Sequence, residues 1–170
     1  MKVLLSPIFL FLSSSVFAQF PLQEEWLKKW DNARDYTLEC LALMPEENLN
    51  FKPTEEEMTF EEQLVHLSKN MTWLANAYLG KTPAMDFTGA ENITNKEELA
   101  ALVTNAYQYA RDAVEAVKLE DLETVHDFFA GPMTGRQIMH LMQDHQTHHR
   151  GQVIVYLRLN NLKPPRYRGW

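Results

Sequence analysis

The sequence predicts an all-α fold, a four-helix bundle in one domain. Two observations carry this. Four segments repeat apolar residues at helical spacing, and three of them follow the same capping signature: Thr59-Phe-Glu-Glu62, Thr94-Asn-Lys-Glu97 and Thr134-Gly-Arg-Gln137. In such a box the Thr hydroxyl accepts from a first-turn backbone N–H, and Glu or Gln reaches back to the cap's own N–H. Each helix has a single apolar stripe, so each needs partners, and 170 residues suffice for one core.

The chain begins with a segment set apart from the fold. Lys2 is a minimal positive head, "VLLSPIFLFL" has the length of a signal-peptide apolar region, and "SSSVFA" places Val16 and Ala18 at −3 and −1 of a cleavage before Gln19. The expectation is a cleavable signal peptide at 1–18, an exported (periplasmic or secreted) product, and a bundle domain at 19–170. The apolar stretch is too short for a spanning helix, so stable membrane insertion of the mature chain is not expected. No Cys follows the small residues, so nothing indicates a lipoprotein anchor.

The first helix is expected from about Pro21, a residue suited to a first helical position, to just before Pro45. The second should run from Thr59 to about Tyr78, ended by Gly80. The third should run from Thr94 to about Val117. The fourth should run from Thr134 to about Leu159, ended by Asn160-Asn161 and then Pro164-Pro165. The linkers "PEENLNFKPTEEEM" and "GKTPAMDFTGAEN" are rich in Pro, Gly, Asn and Glu. Between Leu119 and Met133 the period is weak, and one or two short extended pieces are expected. The linker lengths leave the up-down order of the helices open.

Composition narrows the partners. Apolar residues make up 45% of the chain, which argues against disorder. The net charge is −7 with no run of Lys or Arg, which disfavours nucleic acid as the main partner; "PPRYRGW" at the end is too short to reverse that. The single cysteine, Cys40, allows no internal disulfide. It falls on the stripe of Trp26, Ala33, Thr37 and Met44, as a buried, inert thiol would.

The stretch "DHQTHHRGQ", from Asp144 to Gln152, places three of the six histidines in five positions. On the fourth helix Ile138, Leu141, Met142, Val153 and Tyr156 form one stripe at about 100° per residue. His145 and His149 lie near its middle, four apart, with their rings on one face. His148 lies at the edge and His140 points away. Two histidines at this spacing can present two nitrogens to one cation; the plainer alternative is that carbonyls, carboxylates or waters pair with them. A third ligand has two candidates. His126 lies in the weakly patterned stretch. His66 lies on the second helix, about 110° off the stripe of Phe60, Leu64, Leu67, Met71, Leu74 and Tyr78, on a side shared with Glu62, Asn70 and Trp73. That side suits the wall of a cleft between helices.

Rival metal motifs fail on spacing. A helical zinc-peptidase motif needs Glu after the first His, where this chain has Gln146. A di-iron bundle needs two Glu-x-x-His units, and only Glu123-Thr-Val-His126 matches, outside a helix. No Gly-rich phosphate loop precedes a helix, and no Gly-x-Ser-x-Gly elbow occurs.

Two segments resemble a known family. "PEENLNFKPTEEEMTFEEQLVHL" leads into a His-bearing helix, and "MTGRQIMHLMQDHQTHHRGQVIVYLRLNNLKPPRY" carries a His-x-x-His-His-Arg-Gly-Gln core followed by Tyr-Leu-Arg and Pro-Pro. Together they resemble the DinB/YfiT-like superfamily over essentially all of 21–168. The resemblance implies a four-helix bundle, commonly a homodimer, with nickel or zinc held by one histidine of helix two and a His-x-x-x-His pair of helix four. Carried over, these are His66, His145 and His149, so the resemblance selects His66 over His126. Family members include thiol-dependent transferases and isomerases, and others are regarded as metal-dependent hydrolases.

The functional expectation is a metal-dependent hydrolase or transferase acting on a small molecule, with an open metal position. His148, Glu62 and Asp144 are candidate proton carriers. The alternative is a non-catalytic metal- or partner-binding bundle, favoured if Glu62 closes the site as a fourth ligand. Gly151 costs about 1 kcal/mol relative to Ala in a helix, and close approach of a neighbouring helix would explain it. Arg150 and Gln152 are candidates to bind carboxylates or orient a His ring; for Arg150 a solvated or subunit-contacting charge is the plainer alternative.

Overall fold

The computed structural model describes residues 20–170; the expected signal peptide at 1–18 lies outside them. Four long helices form the bundle: α1 (Phe20–Leu43), α2 (Phe60–Tyr78), α3 (Lys96–Ala116) and α5 (Gly135–Leu159). A short helix, α4 (Leu119–Leu122), and a two-stranded antiparallel hairpin, β1 (Val125–His126) with β2 (Met133–Thr134), fill the weakly patterned stretch. Among the described residues, no helix is long and apolar enough to cross a membrane.

The capping boxes at Thr59 and Thr134 form in full, each Thr oxygen accepting from the third helical N–H while Glu62 or Gln137 accepts from the cap's N–H. The third does not form at Thr94. Asn95 is the cap there, and its side chain accepts from Glu98 N at 2.9 Å, so α3 starts one residue later than expected. Asn ranks above Thr as a cap, which explains the shift. Gly80, at φ +71°, follows the end of α2, and Asn161, at φ +58°, follows the end of α5.

Each of α1 and α2 packs on both α3 and α5. Hydrogen bonds between the helices set their directions. Trp26 Nε1 donates to Met139 O and Asn48 Nδ2 to Asn160 Oδ1, so α1 and α5 run parallel. Lys96 Nζ donates to Ala42 O and Trp30 Nε1 to Tyr107 O, so α1 and α3 run antiparallel. Gln63 meets His149, and Tyr156 meets Met58, so α2 opposes α5. The order is therefore up-down-down-up. The segment between Tyr78 and Lys96 must run back along the bundle to start α3 parallel to α2, which accounts for its length.

The core centres on stacked Trp26 and Trp30 (centroids 4.6 Å apart), with Tyr107 at 5.0 Å from Trp30. Both buried indoles donate to backbone carbonyls, so their burial leaves no polar group unpaired. Cys40 is fully buried on the same side, and burial pushes its thiol up to about 12.

Candidate metal centre

The His66, His145 and His149 rings converge where α2 and α5 pass antiparallel. Each offers one ring nitrogen, and these nitrogens all lie within 4.8 Å of one another. Ring centroids are 5.1 Å apart for His66 and His145, 4.6 Å for His66 and His149, and 4.4 Å for His145 and His149. Helix periodicity places the α5 pair; the packing of α2 on α5 brings in His66 from its off-stripe position, as the wall of a cleft.

The rings are held neutral. Burial, with the neighbouring imidazoles adding repulsion between cations, lowers His149 to about 3 and His145 to about 4. His66 is lowered too, first by burial and then by His148 and Lys69. A metal ligand must be an unprotonated imidazole, so the pocket keeps all three in the ligating form at neutral pH.

The other candidates fall into place around them. His148 is exposed, with its ring 4.9 Å from that of His149. Asp144 is exposed one turn before it. Glu62 accepts from Thr59 N at 2.7 Å in the capping box, and it does not belong to the three-histidine group. His126 stands at the far end of α2, its ring 5.6 Å from that of Tyr78. Tyr78 is twelve residues beyond His66 on the helix, or about 18 Å along the axis. The structure thus groups His66, not His126, with the α5 pair. His140 is exposed, as its wheel position required.

Two expectations are corrected. Gly151 is exposed, and a Cβ there would meet nothing within 4 Å, so among the described residues no neighbouring helix approaches it. Arg150 is buried rather than solvated, and no carboxylate pairs with it among the described residues. Its guanidinium lies over the Tyr36 ring and donates to Gln146 Oε1 and Ala33 O, tying α5 to α1.

Among the described residues neither Arg150 nor Gln152 hydrogen-bonds a ring of the cluster; Gln63 does. Its Oε1 lies 2.6 Å from His149 Nδ1. The sequence held a signal for it: Gln63 sits three residues after Phe60 and four before Leu67, on the buried side of α2, where a polar side chain requires a partner. One turn beyond His66, Asn70 Oδ1 is buried with no hydrogen-bond partner among the described residues. Three neutral imidazoles facing one point, with a free acceptor a turn away, fit a divalent ion of borderline softness.

Such a fold and such a site define a class: helical bundles with a histidine cluster set between two antiparallel helices. The DinB family model matches residues 15–168, and the chain belongs to that family. It is 26% identical over 128 residues to a protein named "Uncharacterized protein YjoA" from Bacillus subtilis (strain 168), covering 74% of this chain and 82% of that one. The crystal structure of that DinB-like protein superposes with a TM-score of 0.69 at 22% identity, covering 84% of this chain and 96% of its own. A DinB-like protein from Bacillus cereus ATCC 10987 gives 0.73 at 22% identity, with coverage of 85% and 97%. A conserved protein from Enterococcus faecalis gives 0.66 at 17%, with coverage of 81% and 96%. At these identities the likeness speaks for the fold.

Proposed function

We propose that this DinB-family chain is an exported metalloprotein, a metal-dependent hydrolase or transferase whose nickel or zinc ion is held by His66, His145 and His149. The observation that carries the reading is the convergence of three neutral ring nitrogens from two helices with no carboxylate in the group. A divalent ion bound there supplies Lewis acidity. The three histidines contribute no charge of their own, so they leave the ion its full 2+. Glu62 is engaged by the Thr59 cap, which favours a position left open for a small-molecule substrate over a closed, purely structural site. His148, exposed beside His149, is the first choice to carry a proton between substrate and solvent; Asp144 and Glu62 follow. In this reading residues 1–18 direct export and are removed near Ala18, residues 19–170 form the working domain, and the mature chain pairs as a homodimer.

Cobalt substitution tests the open position. Protein purified without a His tag and loaded with one equivalent of Co²⁺ should change its visible spectrum when azide or a thiol is added. A spectrum that ignores every added ligand would mean a closed site. The intact mass of the exported protein tests removal of residues 1–18.

A further inference from the structure

We propose that Gln63 is a positioning residue that fixes His149 as its Nδ1–H tautomer and so turns the Nε2 lone pair toward the ion. The proton assignment follows from a chain of three groups, each with one possible role. The Met58 carbonyl oxygen can only accept, and the Tyr156 hydroxyl lies 2.8 Å from it, so the single Tyr156 proton points there. The Tyr156 oxygen is then left as an acceptor. Gln63 Nε2, 3.2 Å away, donates to it. This sets the amide orientation and directs Oε1 at His149 Nδ1, 2.6 Å away. A carbonyl oxygen only accepts, so Nδ1 carries the proton. A neutral imidazole has one N–H, which leaves Nε2 bare.

The relay is built into the core. Gln63 is 3% exposed and Tyr156 1%. The edge of Phe51 packs against the Tyr156 ring at 5.9 Å. Water therefore has little chance to replace either partner. The tautomer selected is the less favoured one for a histidine side chain in water, so the assignment needs an enforcing group, and Gln63 supplies it. The acceptor is a neutral amide rather than a carboxylate. It orients the ring without adding negative charge next to the site.

The part of this inference that concerns the ion rests on the metal reading above; the tautomer does not, and the experiment separates them. Metal-free protein labelled with ¹⁵N-histidine is examined at pH 7.5 by long-range ¹H–¹⁵N correlation, which reads the tautomer of each ring, and Ni²⁺ affinity is measured alongside. Wild type should show His149 protonated at Nδ1. Gln63→Leu should lose that fixed signature and bind Ni²⁺ some 10–100-fold more weakly. Gln63→Glu keeps an acceptor and should retain the Nδ1–H signature. Tyr156→Phe, which frees the amide to turn over, should give a mixture of tautomers. An Nε2–H signature in the wild type overturns the proposal with no variant needed, and so does an unchanged Nδ1–H signature in folded Gln63→Leu. A wild type that shows Nδ1–H yet takes up neither Ni²⁺ nor Zn²⁺ would overturn the metal reading and leave the positioning role of Gln63 standing.

Discussion

The His66 ring meets the His149 ring at 62° with centroids 4.6 Å apart, bridging α2 and α5 without a carboxylate between them. Edge-to-face packing accounts for part of this contact; the metal reading adds a reason for the ring nitrogens to converge. One divalent ion per chain is expected on reconstitution with Ni²⁺ or Zn²⁺. Replacing His66, His145 or His149 by Ala should weaken binding by at least about 100-fold, because two ligands are left where three are needed. His140→Ala should bind as wild type does. Elemental analysis and competition titration decide it. Less than about a tenth of an equivalent in the wild type would end the metal reading.

Acid should loosen the metal-free fold. Unfolded histidine titrates near 6.5, whereas His145 and His149 are lowered to about 4 and about 3 in the folded state. Between those values the unfolded chain binds protons that the folded rings refuse, so stability falls as pH falls. The loss begins near pH 6.5 and levels off below about 3. Urea midpoints measured from pH 7.5 to 4.5 should decline. The double variant His145→Gln/His149→Gln should decline less, since the carboxylates remain and these two rings are gone. Equal slopes would show that the rings are not responsible. Bound metal should also leave over this range, as protons compete for its ligands.

The shifted cap of α3 can be read by two substitutions. Asn95 supplies the oxygen that Glu98 N donates to, and Thr94 supplies none. Asn95→Ala should cost about 1 kcal/mol, and Thr94→Ala should stay within about 0.5. Chemical denaturation resolves the difference, and the reverse ranking would restore the Thr94 box.

Gly151 is a helical glycine with open space where its Cβ would stand. In the single chain Gly151→Ala should therefore stabilise by about 0.4–1 kcal/mol. If the homodimer uses this face, the substituted methyl meets the partner, and the gain is replaced by weaker association. Thermal unfolding at several protein concentrations separates these cases.

Cys40 should resist thiol reagents. It is fully buried, and its raised pKa leaves almost no thiolate at neutral pH. A disulfide reagent should label it only as fast as the protein opens, with full labelling in denaturant. Rapid labelling of native protein would place the thiol at the surface.

Much of this molecule could be read from local pattern. The α2 and α5 boundaries followed from caps that bond within one turn, and the His145–His149 pair from the rise of a single helix. Three features were missed, the first to a local competition and the other two because their causes lie between elements. The Thr94 cap lost to Asn95, its neighbour, which competes for the same first-turn amides. The burial of Arg150 depends on Tyr36 and the Ala33 carbonyl, on another helix. His66 was equivocal on its own wheel because a side chain at the edge of a stripe is placed by whichever helix packs there. The family motif resolved that choice, and the α2–α5 contact supplies the physical reason.

The up-down-down-up order has a consequence for biogenesis. His66 is synthesised early, while His145 and His149 arrive on the last helix. Until α5 is synthesised and docks against α2, only one imidazole of the cluster is in place. On the metal reading, a truncated or stalled chain cannot scavenge an ion tightly, and loading is deferred to wherever the polypeptide completes its folding.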